Sequence, residues 1–171
     1  MRSRGTVGLS FRGEFHQKVD GKGRMSIPAD FRAVLADGDP RCPENPSPRL
    51  VVLHGAHLDG CLHVYTIEAM TEIEEGIKRL PRGSVQRKKA SRKILGKSWE
   101  TEIDKDGRIV LPQRLREQIG LTGLATMTAM GDYFELWDAG TYERFEAEED
   151  DDDDDIDPLL YLDQATPPDQ A

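Results

Sequence analysis

The stretch KVDGKGRMSIPADFR at residues 18–32 returns without a gap as EIDKDGRIVLPQRLR at residues 102–116. Asp20, Gly23, Arg24, Pro28 and Arg32 each meet an identical residue 84 positions later, at Asp104, Gly107, Arg108, Pro112 and Arg116. The apolar positions keep the same register: Phe15 answers Trp99, Val19 answers Ile103, Met25 and Ile27 answer Ile109 and Leu111, and Phe31 answers Leu115. So many coincidences at one offset mark an internal duplication. In a chain of 171 residues each unit is roughly fifty residues, too small to bury a good core alone, so two like units must pack against each other.

Each copy reads as strand, turn, strand, helix and then a second pair of strands. Phe15, Gln17 and Val19 alternate with polar residues, as Trp99, Thr101 and Ile103 do, which suits a strand with one buried face. In DGKGR and DKDGR the Asp can accept bonds from backbone N–H groups two residues on, and the Gly can take positive φ. RMSI and RIVL then form a second strand, after which Pro28 and Pro112 are expected at the first position of a short helix. Phe31, Val34 and Leu35, or Leu115 and Ile119, give that helix its apolar face, and Gly38 or Gly120 ends it. RLVVLH and CLHVYT flank a Gly-rich turn in the first copy, and LATMTAM and YFELWD flank Gly131-Asp132 in the second. Between the copies, Ile67, Met70, Ile73, Ile77 and Leu80 predict an amphipathic helix capped by Thr66, with a basic helix after Ser84. The expected class is α+β, mainly β, with two tandem ββαββ units in a pseudo-twofold module joined by helices.

The formal net charge of -9 is misleading. Residues 146–171 hold twelve Asp or Glu and no Lys or Arg, which leaves 23 basic against 20 acidic groups in residues 1–145. Two windows are locally basic: residues 1–32, and residues 84–98 with Arg87, Lys88, Lys89, Arg92, Lys93 and Lys97 and no acid. This is the distribution of an anion-binding protein with an appended acidic tail. Cys42 and Cys61 do not make a disulfide framework, and no apolar run near the start has the length of a signal peptide or membrane span, so a cytoplasmic protein without a membrane partner is expected.

The phrase D-x-x-G-R-Φ-x-Φ-P-x-x-Φ-R resembles the signature of the SpoVT-AbrB type swapped-hairpin (double-split barrel) DNA-binding fold. Two copies in one chain, with GCLHVY after the first and FELWD after the second, resemble the MraZ family over about residues 9–145. The resemblance implies a repressor of the bacterial division and cell wall gene cluster that binds short promoter repeats upstream of its own operon. It also implies a ring-shaped homo-oligomer, the octamer being one form, and association with the nucleoid. The resemblance implies SpoVT-AbrB-like domains at 13–66 and 97–141, and composition and periodicity add a basic arm at 1–12, a helical connector at 67–96 and a disordered acidic tail at 146–171 that lies beyond the family pattern. The loop ADGDPRCPENPSP at 36–48 departs from the family pattern.

Arg24 is the leading DNA-contact candidate. It follows the Gly of a tight turn, is always charged, and can bond guanine O6 and N7 or a phosphate with its fork of donors. Its other use is to cap its own Asp20, and for Arg108 both uses stay open. Lys18, Lys22 and Arg12 would add phosphate contacts. Arg32 and Arg116 sit on the short helices, where phosphate binding and an internal ion pair are equally open. Asp106 stands where the first copy has Lys22, so the two copies are expected to contribute unequally. Residues 84–98 could touch DNA, face solvent or meet another subunit. His54, His57, Cys61 and His63 are zinc-ligand types, but their spacing about a Gly-rich turn is awkward for one site, and the resemblance implies a strand start at GCL and so a buried thiol, so no metal or cofactor is expected. Neither a phosphate-binding Gly loop nor a nucleophile elbow occurs, so no enzyme is expected. The opposing class is an oligomeric scaffold or an antitoxin-like protein-binding module.

Overall fold

The computed structural model describes residues 9–152 and 157–165. Each repeat begins with a strand that turns alternate side chains inward. Strand β1 (Glu14–Lys18) directs Phe15 and Gln17 towards the interior and leads into buried Val19, and β5 (Ser98–Glu102) does the same with Trp99, Thr101 and Ile103. The chain then reverses through the repeated turn. Asp20 Oδ1 accepts from the backbone N–H groups of Lys22 and Arg24, both at 2.9 Å, and Asp104 Oδ1 accepts from Asp106 and Arg108, again at 2.9 Å. Gly23 (φ 84°) and Gly107 (φ 77°) complete the turns in the left-handed region that a side chain disfavours.

The strands that follow, β2 (Arg24–Ser26) and β6 (Arg108–Val110), are only three residues each, and they pair with one another. Met25 lies opposite Ile109, both buried, so a two-stranded antiparallel ribbon is built from one strand of each repeat. The clasp is reciprocal: Ile27 N–H donates to Gly107 O at 2.9 Å, and Leu111 N–H donates to Gly23 O at 2.9 Å.

The main sheet repeats the exchange. With β3 (Arg49–Leu53), β4 (Leu62–Tyr65), β7 (Leu124–Ala129) and β8 (Tyr133–Asp138), its order is β1-β7-β8-β4-β3-β5. Strand β1 of the first repeat pairs with β7 of the second, β5 of the second pairs with β3 of the first, and β4 meets β8 in the middle. All of these pairings are antiparallel. The duplicated halves therefore form one swapped module, α+β and mainly β, as the sequence predicts. Exchange is what the small unit size demands, because each half completes the other's sheet and core.

Helices α1 (Ala29–Asp37), α2 (Ile67–Arg79), α3 (Val85–Lys93) and α4 (Gln113–Gln118) follow their predicted positions with one correction. Pro28 and Pro112 stand at the N-cap, one residue earlier than expected, with ψ near 142° and 144°. The extended ψ places the missing N–H just before the helix, where it is equally harmless. Gly120 leaves α4 at φ 64°, whereas Gly38 caps α1 at φ -89° without using the left-handed region.

Helix α1 drives Phe31 into the centre of the core. Its ring meets Phe11 at 5.2 Å and Phe15 at 5.0 Å, both edge-on, and Phe134 at 4.7 Å. Phe11 is 2% exposed, and its N–H donates to Gly131 O at 2.8 Å, so the end of the expected N-terminal arm is part of the core; residues 1–8 lie outside the described residues. Helix α2 starts on the Thr66 hydroxyl, which accepts from Ala69 N–H, and buries Met70 in a second cluster with Val51, Leu53 and Leu58. Helix α3 starts on Ser84 in the same way and buries no residue.

The 36–48 loop is anchored by a buried carboxylate. Asp39 is fully enclosed and accepts from the Arg49 guanidinium at 2.7 and 3.1 Å and from the Arg41 and Arg49 backbone N–H groups. Burial pushes its pKa up, but the Arg49 and backbone donors outweigh it and hold the carboxyl well below the usual range. Helix α5 (Ala139–Asp152) corrects the reading of a disordered tail from residue 146, since helix continues to Asp152. Residues Pro158–Gln164 form a 3-10 turn, and the rest of the expected tail, 153–156 and 166–171, lies outside the described residues. No helix among the described residues is long and apolar enough to cross a membrane.

Candidate nucleic-acid interface

The β2–β6 ribbon has one buried and one open face. Met25 and Ile109 point inward, so period-2 alternation leaves Arg24, Ser26, Arg108 and Val110 on the outward face. Ser26 lies opposite Arg108 and Arg24 opposite Val110, which sets the two arginines on a diagonal across the ribbon. Beside it a cleft of about 610 Å³ is lined by Lys18, Asp20, Arg24, Ser26 and Arg108, with Gly123 and Leu124 from the start of β7. Three of the cations singled out in the sequence thus converge, although Arg108 is 84 residues from Arg24.

The two turns differ in charge. Arg24 is exposed and places Nε 2.6 Å from Asp20 Oδ2, so the capping use of this arginine is present in the fold. Nε is occupied in this way, while the terminal nitrogens remain able to donate. The Asp20 carboxyl is held down to about 2, first by the Arg24 backbone N–H and then by its guanidinium. Lys22 at the turn tip is exposed and has no carboxylate partner among the described residues. Arg108 instead meets Asp106 at 3.2 Å and Asp104 at 4.0 Å, and its Nε is buried without a hydrogen bond. The Lys22-to-Asp106 exchange therefore replaces a cation at the first turn with an anion that engages the arginine at the second.

Arg32 and Arg116 do something the sequence did not indicate. Each reaches across the pseudo-twofold to the other repeat's turn. Arg116 Nε donates to Leu111 O at 3.0 Å, and its Nη1 lies 3.5 Å from Gly21 O. A Cβ on Gly23 would meet Arg116 Nε at 2.7 Å, and a Cβ on Gly107 would run into the Arg32 guanidinium. The repeated glycine is thus required twice, for its φ and for this overlying arginine. Arg12 is exposed but precedes β1 at the end away from Lys18, with the strand's length of about 13 Å between, and does not join the cleft. The α3 cations Lys88, Lys89, Arg92 and Lys93 are exposed on a separate element.

Of the zinc-type residues, His54 is buried, with its pKa lowered first by burial, and His57 packs its ring over Gly55. Neither joins the other two. Cys61 and His63 lie together on β4 and its entry, and the residue the sequence did not connect to them is Glu135 on β8.

A swapped pair of AbrB-like hairpins that presents arginines on an exposed ribbon defines the class of protein. Comparison with known proteins gives the same answer: the family described as "MraZ protein, putative antitoxin-like" matches residues 10–92 and 94–157. The chain is 46% identical over 160 residues to "Transcriptional regulator MraZ" of Ruegeria pomeroyi, covering 91% of this chain and 96% of that protein. It is 46% identical over 164 residues to the protein of the same name from Ruegeria sp. (strain TM1040), covering 93% and 98%. A third such protein, from Cereibacter sphaeroides, is 38% identical over 164 residues, covering 91% and 96%. The chain belongs to the MraZ family. The three relatives are named as transcriptional regulators, not as enzymes.

Proposed function

We propose that this chain is a sequence-specific DNA-binding repressor of the division and cell wall gene cluster, acting in the cytoplasm on the nucleoid. The observation that carries the reading is the convergence of Lys18, Arg24 and Arg108 on one exposed cleft through the β2–β6 pairing. Arg24 would read a guanine edge or clasp a phosphate, exchanging or sharing its bond to Asp20, while Lys18 and Lys22 hold the backbone. Arg108, tied to Asp106, would contribute less, and Arg32 and Arg116 would act by holding the turns. The names of the curated relatives support a regulatory role. A ring of such modules would bind short repeats upstream of the chain's own operon, gaining affinity through effective concentration.

The test is fluorescence anisotropy on that upstream DNA against a scrambled duplex, over a salt series. Specific binding should exceed scrambled binding by roughly a thousandfold, with a slope of about -0.9 per phosphate contact. Arg24→Ala should weaken specific binding by about 1–3 kcal/mol, and Arg108→Ala by less. Equal, weak binding to both duplexes would overturn the proposal in favour of a scaffold or antitoxin-like module.

A further inference from the structure

On the sheet face opposite the main core, Cys61, His63 and Glu135 bring a sulfur, a nitrogen and an oxygen within 4.8 Å of one another. The fold makes this meeting. His63 and Glu135 are directly paired across β4 and β8, and Cys61, two residues before His63, points to the same side. His63 Nε2 stands 3.5 Å from Glu135 Oε2, and Cys61 Sγ stands 3.8 Å from that same oxygen. Ligands of a tetrahedral zinc ion, with bonds of about 2.0–2.3 Å, are separated by about 3.3–3.8 Å. Both separations to Glu135 Oε2 already fall in that range, and the sulfur and the imidazole nitrogen lie within 4.8 Å of each other, so about 1 Å of side-chain adjustment would complete the triangle.

The surroundings also fit. Trp137 Nε1–H donates to Glu135 Oε1 at 3.3 Å, leaving Oε2 turned towards the sulfur and the imidazole. The His63 ring stacks on Tyr133 at 4.6 Å, and Tyr133 stacks on Tyr65 at 4.9 Å, so the imidazole is held in place. Orienting contacts of this kind are what metal ligands need. Cys61 is buried, while the side chains of His63 and Glu135 are 15% and 17% exposed, so the cluster opens to solvent on one side only.

We infer that Cys61, His63 and Glu135 form a binding site for one zinc-class divalent ion, with its fourth position open to water. Binding would release the Cys61 thiol proton to solvent, and thiolate, carboxylate and dication would then sum to zero charge. A neutral cluster suits this half-enclosed place on the sheet. The site is remote in sequence from the repeated turns and does not depend on the DNA reading.

The test uses the full-length chain, stripped with chelator and titrated with Co²⁺. One equivalent should give a thiolate-to-cobalt charge-transfer band that Zn²⁺ abolishes by displacement. Cys61→Ser should remove the band and Cys42→Ser should keep it. Glu135→Gln and His63→Leu, which leave the thiol in place, should each weaken Co²⁺ binding at least about tenfold while far-UV circular dichroism stays unchanged. Absence of the band from the wild-type protein, its loss in Cys42→Ser with retention in Cys61→Ser, or undiminished affinity in both Glu135→Gln and His63→Leu would overturn the inference.

Discussion

Replacing the repeated turn glycines by alanine should not cost the same in the two copies. Both positions have φ in the left-handed region, 84° at Gly23 and 77° at Gly107, so each alanine carries a backbone penalty of about 1–2 kcal/mol. What surrounds them differs. At Gly23 the new Cβ collides with the carbonyl oxygen of Leu111, which is fixed backbone, and reaches Arg116 Nε at 2.7 Å. Moving the turn away weakens the Leu111 N–H to Gly23 O bond and displaces the Arg116 bond to Leu111 O, at about 1 kcal/mol each. Gly23→Ala should therefore cost about 3–4 kcal/mol. At Gly107 the obstruction is the Arg32 guanidinium, the far end of a flexible chain that can swing into solvent, and the cost should stay near 1–2 kcal/mol. For a chain of this size, at about 2–4 °C per kcal/mol, the melting temperatures should fall by about 6–16 °C and 2–8 °C respectively. Differential scanning calorimetry at matched protomer concentration reads both, since any self-association shifts the midpoint. Equal losses, or a larger loss for Gly107→Ala, would refute the idea that the fixed carbonyl and the arginine clasp make the first turn the less forgiving one.

Asp39→Asn should destabilise the fold by about 3 kcal/mol at neutral pH, because it leaves Arg49 without the carboxylate it meets at 2.7 Å. Asp39 has a folded pKa below its ordinary 3.8, so its stabilisation is full above that value and is lost as pH falls through the folded pKa. Urea midpoints of wild type and Asp39→Asn should run in parallel above about pH 5 and converge in acid; a constant gap across the acid range would contradict this. Truncation after Phe145 removes twelve carboxylates, which we expect to compete with DNA for the basic face. It should tighten binding at least about threefold at low salt, with the difference vanishing at high salt. Unchanged affinity at low salt would remove the idea.

The architecture was legible because duplication, alternation and turn chemistry are local signals. Asp20 and Asp104 bond the predicted backbone N–H groups, Thr66 caps the predicted helix, and Phe31 and Leu115 are buried as their spacing required. Phe11 was misread as part of an arm because a lone aromatic beside Gly and Arg carries no period; only the approach of Phe31 and Phe134 makes it core. The helical residues 146–152 were misread for a related reason, since a charge run reports composition and not hydrogen bonding.

What the sequence determined by itself was the presence of two equal units, their internal order, and the unequal charge set by Lys22 and Asp106. Tertiary structure decided which strands pair. Strand exchange brings Arg108 beside Arg24, lays Arg116 over Gly23 and Arg32 over Gly107, and sets Glu135 against Cys61 and His63. These contacts join residues 72–93 positions apart, and side-chain patterning has a reach of only one turn or one strand. A periodic sequence states which face of an element is buried; the partner on that face follows from long-range pairing, which no local signal encodes.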